Sequence, residues 1–157
     1  PETEEYGISS FVYRARRPFH PQRLWEQVDR GLPGVLRAKG FFWIATRPDL
    51  VGSWAQAGQL LEVNPAGYWY AASPAETWEV DDEERAIIAG HWDPAVGDRR
   101  QEIAIIGQQL DQAALTSTLD ACLVTPEEFA AGPALWSAFA DPFPEWAEAE
   151  EEDDGVA

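Results

Sequence analysis

Four segments of the chain carry the apolar pattern of β-strands. Residues 6–14 are rich in β-branched and aromatic side chains, and residues 101–107 form a compact apolar run. Two more strands are predicted over residues 51–57 and 60–72. In the second of these, residues 64–67 read Asn-Pro-Ala-Gly, a composition that predicts a reversing turn.

A fifth strand, over residues 34–46, has the most informative alternation. Successive side chains of a strand point to opposite faces, so one face is expected to belong to the core. That face holds only apolar residues, namely Leu36, Ala38, Phe42 and Ile44. The other face is mixed, with two cations followed by two aromatic side chains: Val35, Arg37, Lys39, Phe41 and Trp43.

Helix signals separate these strands. A helix is predicted from Pro21, where proline costs no hydrogen bond, to Gly31, and a second helix begins after the cap Asp111. A third begins at Thr125, because Thr-Pro-Glu-Glu has the form of a capping box. The pattern loosens over residues 73–98, which we interpret as an insertion-like excursion with a short acid-led helix.

These elements predict an α+β fold, in which a mostly antiparallel sheet of four to five strands carries two or three helices. The chain of 157 residues is expected to form one domain over residues 1–147. Residues 148–157 open with a dense run of acids and predict a disordered acidic tail. Because the chain contains no methionine, we expect it to be a segment of something longer.

Charge and hydropathy restrict the partners. The net charge of −17 should repel nucleic acid and anionic membranes, and no apolar stretch approaches the length of a membrane span. We therefore predict no nucleic-acid partner, no membrane partner and a cytoplasmic location, with which a single cysteine, Cys122, agrees. Most of the bases lie between Arg14 and Arg47, so a local positive patch is possible within this acidic chain.

Catalytic residues are not predicted. A phosphate-binding loop needs a lysine beside glycines, and the single lysine, Lys39, lies in a predicted strand. The thiol of Cys122 belongs to an apolar helix face, nothing in the sequence brings it to either histidine, and it is more simply a small core residue. A zinc site built from His91 and Asp93 with His20 or Cys122 is conceivable, but the spacing does not indicate one, and we predict no metal site.

Aromatic and basic residues are the candidates for partner binding. Eight tryptophans are spread over the chain, where they serve either as core or as anchors of an interaction surface. Arg99 and Arg100 are able to grip a carboxylate or phosphate, or to pair with Asp98 or Glu102. The complete set of partner-binding candidates is Arg37, Lys39, Phe41, Trp43, Arg99 and Arg100.

Taken in order, six segments resemble the C-terminal domain of the CobW family, and the likeness covers roughly residues 5–130. The Arg-Ala-Lys-Gly-Phe-Phe-Trp and Gly-Asp-Arg-Arg-Gln-Glu blocks are the most specific. The segments are residues 6–20, 36–43, 92–93, 97–102, 105–107 and 119–123. One departure is the lack of the histidine-rich stretch that many members carry, since only His20 and His91 are present.

The resemblance implies a non-catalytic, regulatory or partner-binding half of a GTP-dependent metallochaperone, with zinc as the expected metal and cobalt as the other option. GTP, magnesium and zinc would belong to an N-terminal GTPase domain. That domain and a client metalloprotein would be the partners, with the oligomeric state left open. The residues alone also permit a free-standing small-ligand-binding or enzyme domain that uses the aromatic and basic face, or a structural dimerisation domain.

Overall fold

The computed structural model describes residues 7–146, in which five strands form one sheet. The strands are β1 (Ile8–Ala15), β2 (Val35–Phe42), β3 (Leu50–Ala57), β4 (Leu60–Tyr68) and β5 (Gln101–Gln108). The helices are α1 (Pro21–Arg30), α2 (Asp82–Gly90), α3 (Gln112–Asp120), α4 (Pro126–Ala131) and α5 (Pro133–Trp136). The sheet order is β1-β5-β2-β3-β4, and all neighbours are antiparallel. The predicted α+β class is confirmed, whereas the predicted acidic tail lies outside the described residues.

Local signals start the helices where the sequence predicts. His20 caps α1, because its Nδ1 accepts a hydrogen bond from the backbone N–H of Arg23 at 3.4 Å. At α4, the side chains of Thr125 and Glu128 each accept from the other residue's backbone N–H, which completes the predicted capping box. No helix in the described part of the chain is long and apolar enough to cross a membrane.

The main core lies on one face of the sheet, beneath α1 and α3. Leu24 of α1 and Leu119 of α3 are buried against the inward side chains of the strands. The C-terminal segment adds Phe143 and Trp146 to this core, and Arg47 holds it in place by an ion pair with Asp141 at 3.0 Å. A second cluster lies beyond the end of β2 and contains Trp43, Ala45, Trp69, Val96, Val124 and Trp136.

The predicted faces of β2 are wrong at its start. Val35, expected on the mixed face, is buried in the core, while Leu36, expected in the core, is 44% exposed. The pairing of β2 with β5 shifts register between Val35 and Arg37, so one extra residue bulges outward. Beyond Leu36 the predicted alternation returns, with Ala38 and Phe42 buried. The strand also ends at Phe42, earlier than predicted.

The predicted turn at residues 64–67 is also wrong. These residues belong to β4, and the chain reverses earlier, at Gly58 and Gln59. Pro65 is tolerated because β4 is an edge strand, and the register of β4 with β3 shifts near this proline. Turn-forming residues therefore mark an irregularity within an edge strand here.

The ion pair between Arg23 and Glu128 predicts a dependence of stability on pH. Their side chains form two hydrogen bonds, of 2.9 and 2.8 Å, which join α1 to α4 and lower the pKa of Glu128 to about 2. Because the folded state has the lower pKa, the ionised carboxylate stabilises the fold above the pKa of the unfolded chain. This contribution is lost as the pH falls towards about 2.

We expect Glu128→Gln to lower the free energy of unfolding at pH 7 by about 1 kcal/mol, since the pair is partly exposed. The gap between the variant and the parent chain should shrink as the pH falls from 5 to about 2. Urea unfolding at several pH values measures it, with Glu127→Gln as the exposed neighbouring control. A gap of constant size down to pH 2.5 would contradict the role given to the carboxylate.

Candidate partner-binding surface

The outward face of the sheet, opposite α1 and α3, remains exposed along the three neighbouring strands β1, β5 and β2. We define the open face by five outward side chains that lie on β1, β5 and β2, namely Val12, Arg14, Arg37, Lys39 and Ile106. Val12 is 39% and Ile106 is 42% exposed. Both apolar side chains are thus accessible to a molecule that covers this face.

Most of the residues beside Lys39 and Arg37 on the neighbouring strands have small side chains. Lys39 of β2 stands directly opposite Ala55 of β3 on one side and Ala104 of β5 on the other. Arg37 stands between Ala57 and the larger Ile106. The small neighbouring side chains therefore leave room for another polypeptide beside the two cations.

The cations of the open face have no acidic partner among the residues that the structure describes. The four ion pairs within residues 7–146 use other cations: Arg23, Arg47, Arg99 and Arg100. Arg14 lies directly across from Glu102, but the carboxylate of Glu102 is held by Arg100 at 3.1 Å. In a chain of net charge −17, the open face is thus a local positive patch.

A cavity of about 250 Å³ adjoins this face at the end of β2. We call it the aromatic pocket. Phe41 forms one wall, and the guanidinium of Arg100 lies over its ring at 4.9 Å. Ile87 of α2 is 58% exposed at the pocket, and Tyr68 is 67% exposed. The remaining lining includes Val51, Trp69, Tyr70, Glu84, Ile88, His91 and Asp98.

Asp98 fastens the segment of residues 73–98 to the short turn that follows β4. The Asp98 carboxylate is buried and accepts hydrogen bonds from the backbone N–H groups of Tyr70 and Ala71, both at 2.9 Å. The Tyr70 hydroxyl donates to Glu84 of α2 at 2.9 Å, and this hydrogen bond raises the pKa of Tyr70. These contacts set α2 as the outer wall of the aromatic pocket.

The six predicted candidates fall into three places. Arg37 and Lys39 lie on the open face, and Phe41 and Arg100 meet at the aromatic pocket. Trp43 and Arg99 lie together at a second cavity of about 500 Å³, with 5.7 Å between the guanidinium and the centre of the indole ring. Of the two alternatives for the arginine pair, the ion pair with Glu102 is confirmed for Arg100.

Trp43 and Arg99 are occupied within the fold. Trp43 is 1% exposed, and its indole N–H donates to the carbonyl of Arg16 at 3.1 Å. Arg99 donates to the carbonyl of Pro48 at 2.6 Å and pairs with Asp49 at 3.2 Å. Arg100 is likewise held by Glu102. Arg37, Lys39 and Phe41 therefore remain for partner binding, together with Arg14, which is not among the sequence-predicted candidates.

The nucleophile and metal-ligand candidates do not converge on one site, although the backbone N–H of His20 donates to the carbonyl of Cys122 at 2.8 Å. Burial raises the pKa of the Cys122 thiol to about 11, so this thiol is protonated at neutral pH. Burial lowers the pKa of His20, whose ring packs on Phe139 with 4.3 Å between the ring centres. Among residues 7–146, no three side chains of His, Cys, Asp or Glu group closely enough to hold a metal ion. The absence of a metal site in this chain stays a prediction.

A solved protein shares this arrangement of strands and helices. The crystal structure of the Zn(II)-bound YjiA GTPase from E. coli matches with a TM-score of 0.53 at 16% identity. The match covers 78% of this chain and 32% of that chain. At this identity the likeness concerns the fold alone, and it defines the class as an α+β domain of the kind found in that GTPase.

Sequence comparison then identifies the family. The family profile described as "Cobalamin synthesis protein cobW C-terminal domain" matches residues 8–123, and the chain belongs to this family. A zinc-regulated GTPase metalloprotein activator of Dictyostelium discoideum is 42% identical over 147 residues, which make up 90% of this chain and 30% of the relative. A zinc chaperone of Mycobacterium tuberculosis is 39% identical over 140 residues, 88% of this chain and 35% of the relative. The chain thus spans about a third of these relatives.

Proposed function

We propose that this chain is the regulatory, partner-binding C-terminal domain of a GTP-dependent metallochaperone that handles zinc, with cobalt as the less supported metal. It contributes no catalytic residue of its own. Its partners are the GTPase domain of the same protein and a client metalloprotein in the cytoplasm. The domain comprises residues 1–147 with an excursion over residues 73–98, and the acidic segment 148–157 follows it.

The names of the relatives support the choice of zinc and of GTP. One is a zinc-regulated GTPase metalloprotein activator and another is a zinc chaperone, and both extend well beyond the region that matches this chain. GTP, magnesium and zinc would be bound in that additional region. The described part of this chain offers no cluster of metal ligands.

The observation that carries the proposal is the open face. Arg14, Arg37 and Lys39 are exposed and lack acidic partners among residues 7–146, although the chain has 28 acids and only 11 bases. Charged residues arranged in this way on a protein surface favour association with a partner of the opposite charge. We therefore assign the open face to the docking of the GTPase domain of the same protein.

A free-standing ligand-binding or enzyme domain is less well supported. That function would need the aromatic and basic candidates to converge on one cavity, but they are divided among three places. The cavity beside Trp43 contains one cation, Arg99, whose guanidinium is already bound to Pro48 and Asp49. A ligand there would have to compete with these contacts.

Charge reversal on the open face tests the proposal in the longer parent protein. We expect Arg37→Glu with Lys39→Glu to lower GTP turnover at least about threefold, because the signal between the domains passes through this surface. The affinity for the nucleotide should stay within about twofold, since the open face is not a nucleotide site. Steady-state GTP hydrolysis and nucleotide titration provide the two measurements.

Arg30→Glu is the matched control, because Arg30 is exposed on α1, away from the open face, and within residues 7–146 its side chain bonds only to Gln27. The Arg30 variant should turn over GTP like the parent protein. If the double variant did so as well, the open face would have no regulatory role. Rapid GTP hydrolysis by this chain alone would contradict its non-catalytic assignment.

A further inference from the structure

The open face and the aromatic pocket form one continuous track along β2. Phe41, Lys39 and Arg37 alternate on the outward face of this strand, and Phe41 lines the pocket. With a rise of about 3.3 Å per residue, the pocket lies roughly 7 Å from Lys39 and roughly 13 Å from Arg37, measured along the strand. Along the track, the aromatic pocket is thus followed by two positive charges, each roughly 7 Å further along the strand.

An extended peptide has the same repeat as the track. Side chains at positions i, i+2 and i+4 of such a peptide point the same way at steps of roughly 7 Å. A peptide above β2 can therefore place one side chain in the aromatic pocket and the next two over Lys39 and Arg37. The alanines beside Lys39, Ala55 and Ala104, allow its backbone to approach closely.

The chemistry of the track selects the side chains. Val51, Trp69 and Ile88 line the pocket along with Phe41, so an apolar side chain fits it. Ile87 and Tyr68 would lose exposed apolar surface when this side chain enters. The ammonium of Lys39 and the guanidinium of Arg37 have no acidic partner in the described part of the chain, so carboxylates complement them.

We propose that this track binds an extended segment of the GTPase domain of the same protein, in which acidic residues stand two and four positions from an apolar residue. This inference rests on the proposed function and specifies the partner. Nucleic acid is the less favoured occupant, since the chain's net charge of −17 repels a polyanion, whereas a short peptide brings only two charges.

Fluorescence anisotropy with labelled nonapeptides tests the proposal on the full chain. The test peptide has leucine at its third position and glutamate at its fifth and seventh, in a serine and glycine background, and a second peptide has this order reversed. A register control of identical composition has glutamate at the fourth and sixth positions. We expect at least one test peptide to bind about tenfold more tightly than the register control, because only the test peptides align both charges with the pocket.

Variants locate the site. Arg37→Glu with Lys39→Glu should weaken binding at least about tenfold, and so should Ile87→Ser, which removes an exposed apolar side chain at the pocket. Arg30→Glu should leave the affinity within about twofold, since Arg30 lies on α1. Circular dichroism would check that each variant is folded. All the substituted residues are exposed, so the substitutions should leave the core unchanged.

Three results would overturn the proposal: equal binding of the register control, undiminished binding by the double variant, or tighter binding of a labelled thymidine oligonucleotide than of either test peptide. The outcome is independent of the turnover experiment. Failure of the peptides together with a loss of turnover in the double variant would reject the extended segment and retain the open face as a docking surface. Failure of both would reject both.

Discussion

Replacing Gln101 by methionine is expected to lower the free energy of unfolding by about 3 kcal/mol. Gln101 is fully buried at the start of β5, and its amide joins two neighbouring segments. The side-chain oxygen accepts from the backbone N–H of Trp43 at 2.9 Å. The side-chain nitrogen donates to the carbonyls of Arg17 at 2.9 Å and Trp43 at 3.1 Å.

Methionine has a similar shape but none of this hydrogen-bonding capacity, so the buried N–H of Trp43 and the carbonyl of Arg17 would lose their partner. Leaving a buried polar group unsatisfied costs about 1–3 kcal/mol per group. Denaturant unfolding followed by tryptophan fluorescence measures the loss. Its signal should also report any displacement of Trp43, which Gln101 holds in the second cluster.

The control for this substitution lies on the same strand. Gln108 is exposed at the far end of β5, so Gln108→Met should change the free energy of unfolding by no more than about 0.5 kcal/mol. Equal effects of the two methionine substitutions would show that the Gln101 hydrogen bonds contribute little to stability. A difference of about 3 kcal/mol would confirm that they secure the end of β2.

Replacing Gly40 by alanine should have an effect of similar size, at about 3 kcal/mol. Gly40 lies in β2, between Trp54 of β3 and Ile103 of β5. A methyl group at Gly40 would overlap the backbone carbonyl of Glu102 and approach the Cα of Ile103 to 2.8 Å. Backbone atoms of a paired strand cannot rotate away, so relief requires a shift of β5 itself.

Gly90→Ala serves as the control for this clash. Gly90 is the last residue of α2, and a methyl group there meets no atom within 4 Å. We expect this variant to be neutral or stabilised by about 0.5 kcal/mol, since alanine reduces the freedom of the unfolded chain. Thermal and urea unfolding compare the two alanine variants. A Gly40 variant as stable as the parent chain would show that β2 and β5 can separate without cost.

The helix starts could be predicted from the sequence because their signals act locally. Pro21 starts α1, and Thr125 starts α4 through contacts with residues only three positions away. The strands were accessible for a related reason, since alternation of apolar residues directly reflects one buried face. Such features depend on neighbours in the chain, which a sequence shows.

The candidate surface could be predicted from the sequence only in part. The alternation of Arg37, Lys39 and Phe41 predicted a mixed face, and these residues do share one side of β2. Trp43 follows the same alternation in the sequence but lies in the second cluster, because β2 ends at Phe42. No pattern along the chain indicated that Ile87 of α2 would come to the same pocket as Phe41.

By itself, the sequence determined the α+β class, most element starts, the acidic character and, through ordered motifs, the family to which the chain belongs. The tertiary structure decided the bulge at Leu36, the course of β4 through Pro65 and the division of the six candidates among three places. The physical reason is that strand register and burial depend on pairing between residues far apart in the chain. The open face exists because α1 and α3 pack on the other side of the sheet, which no single strand specifies.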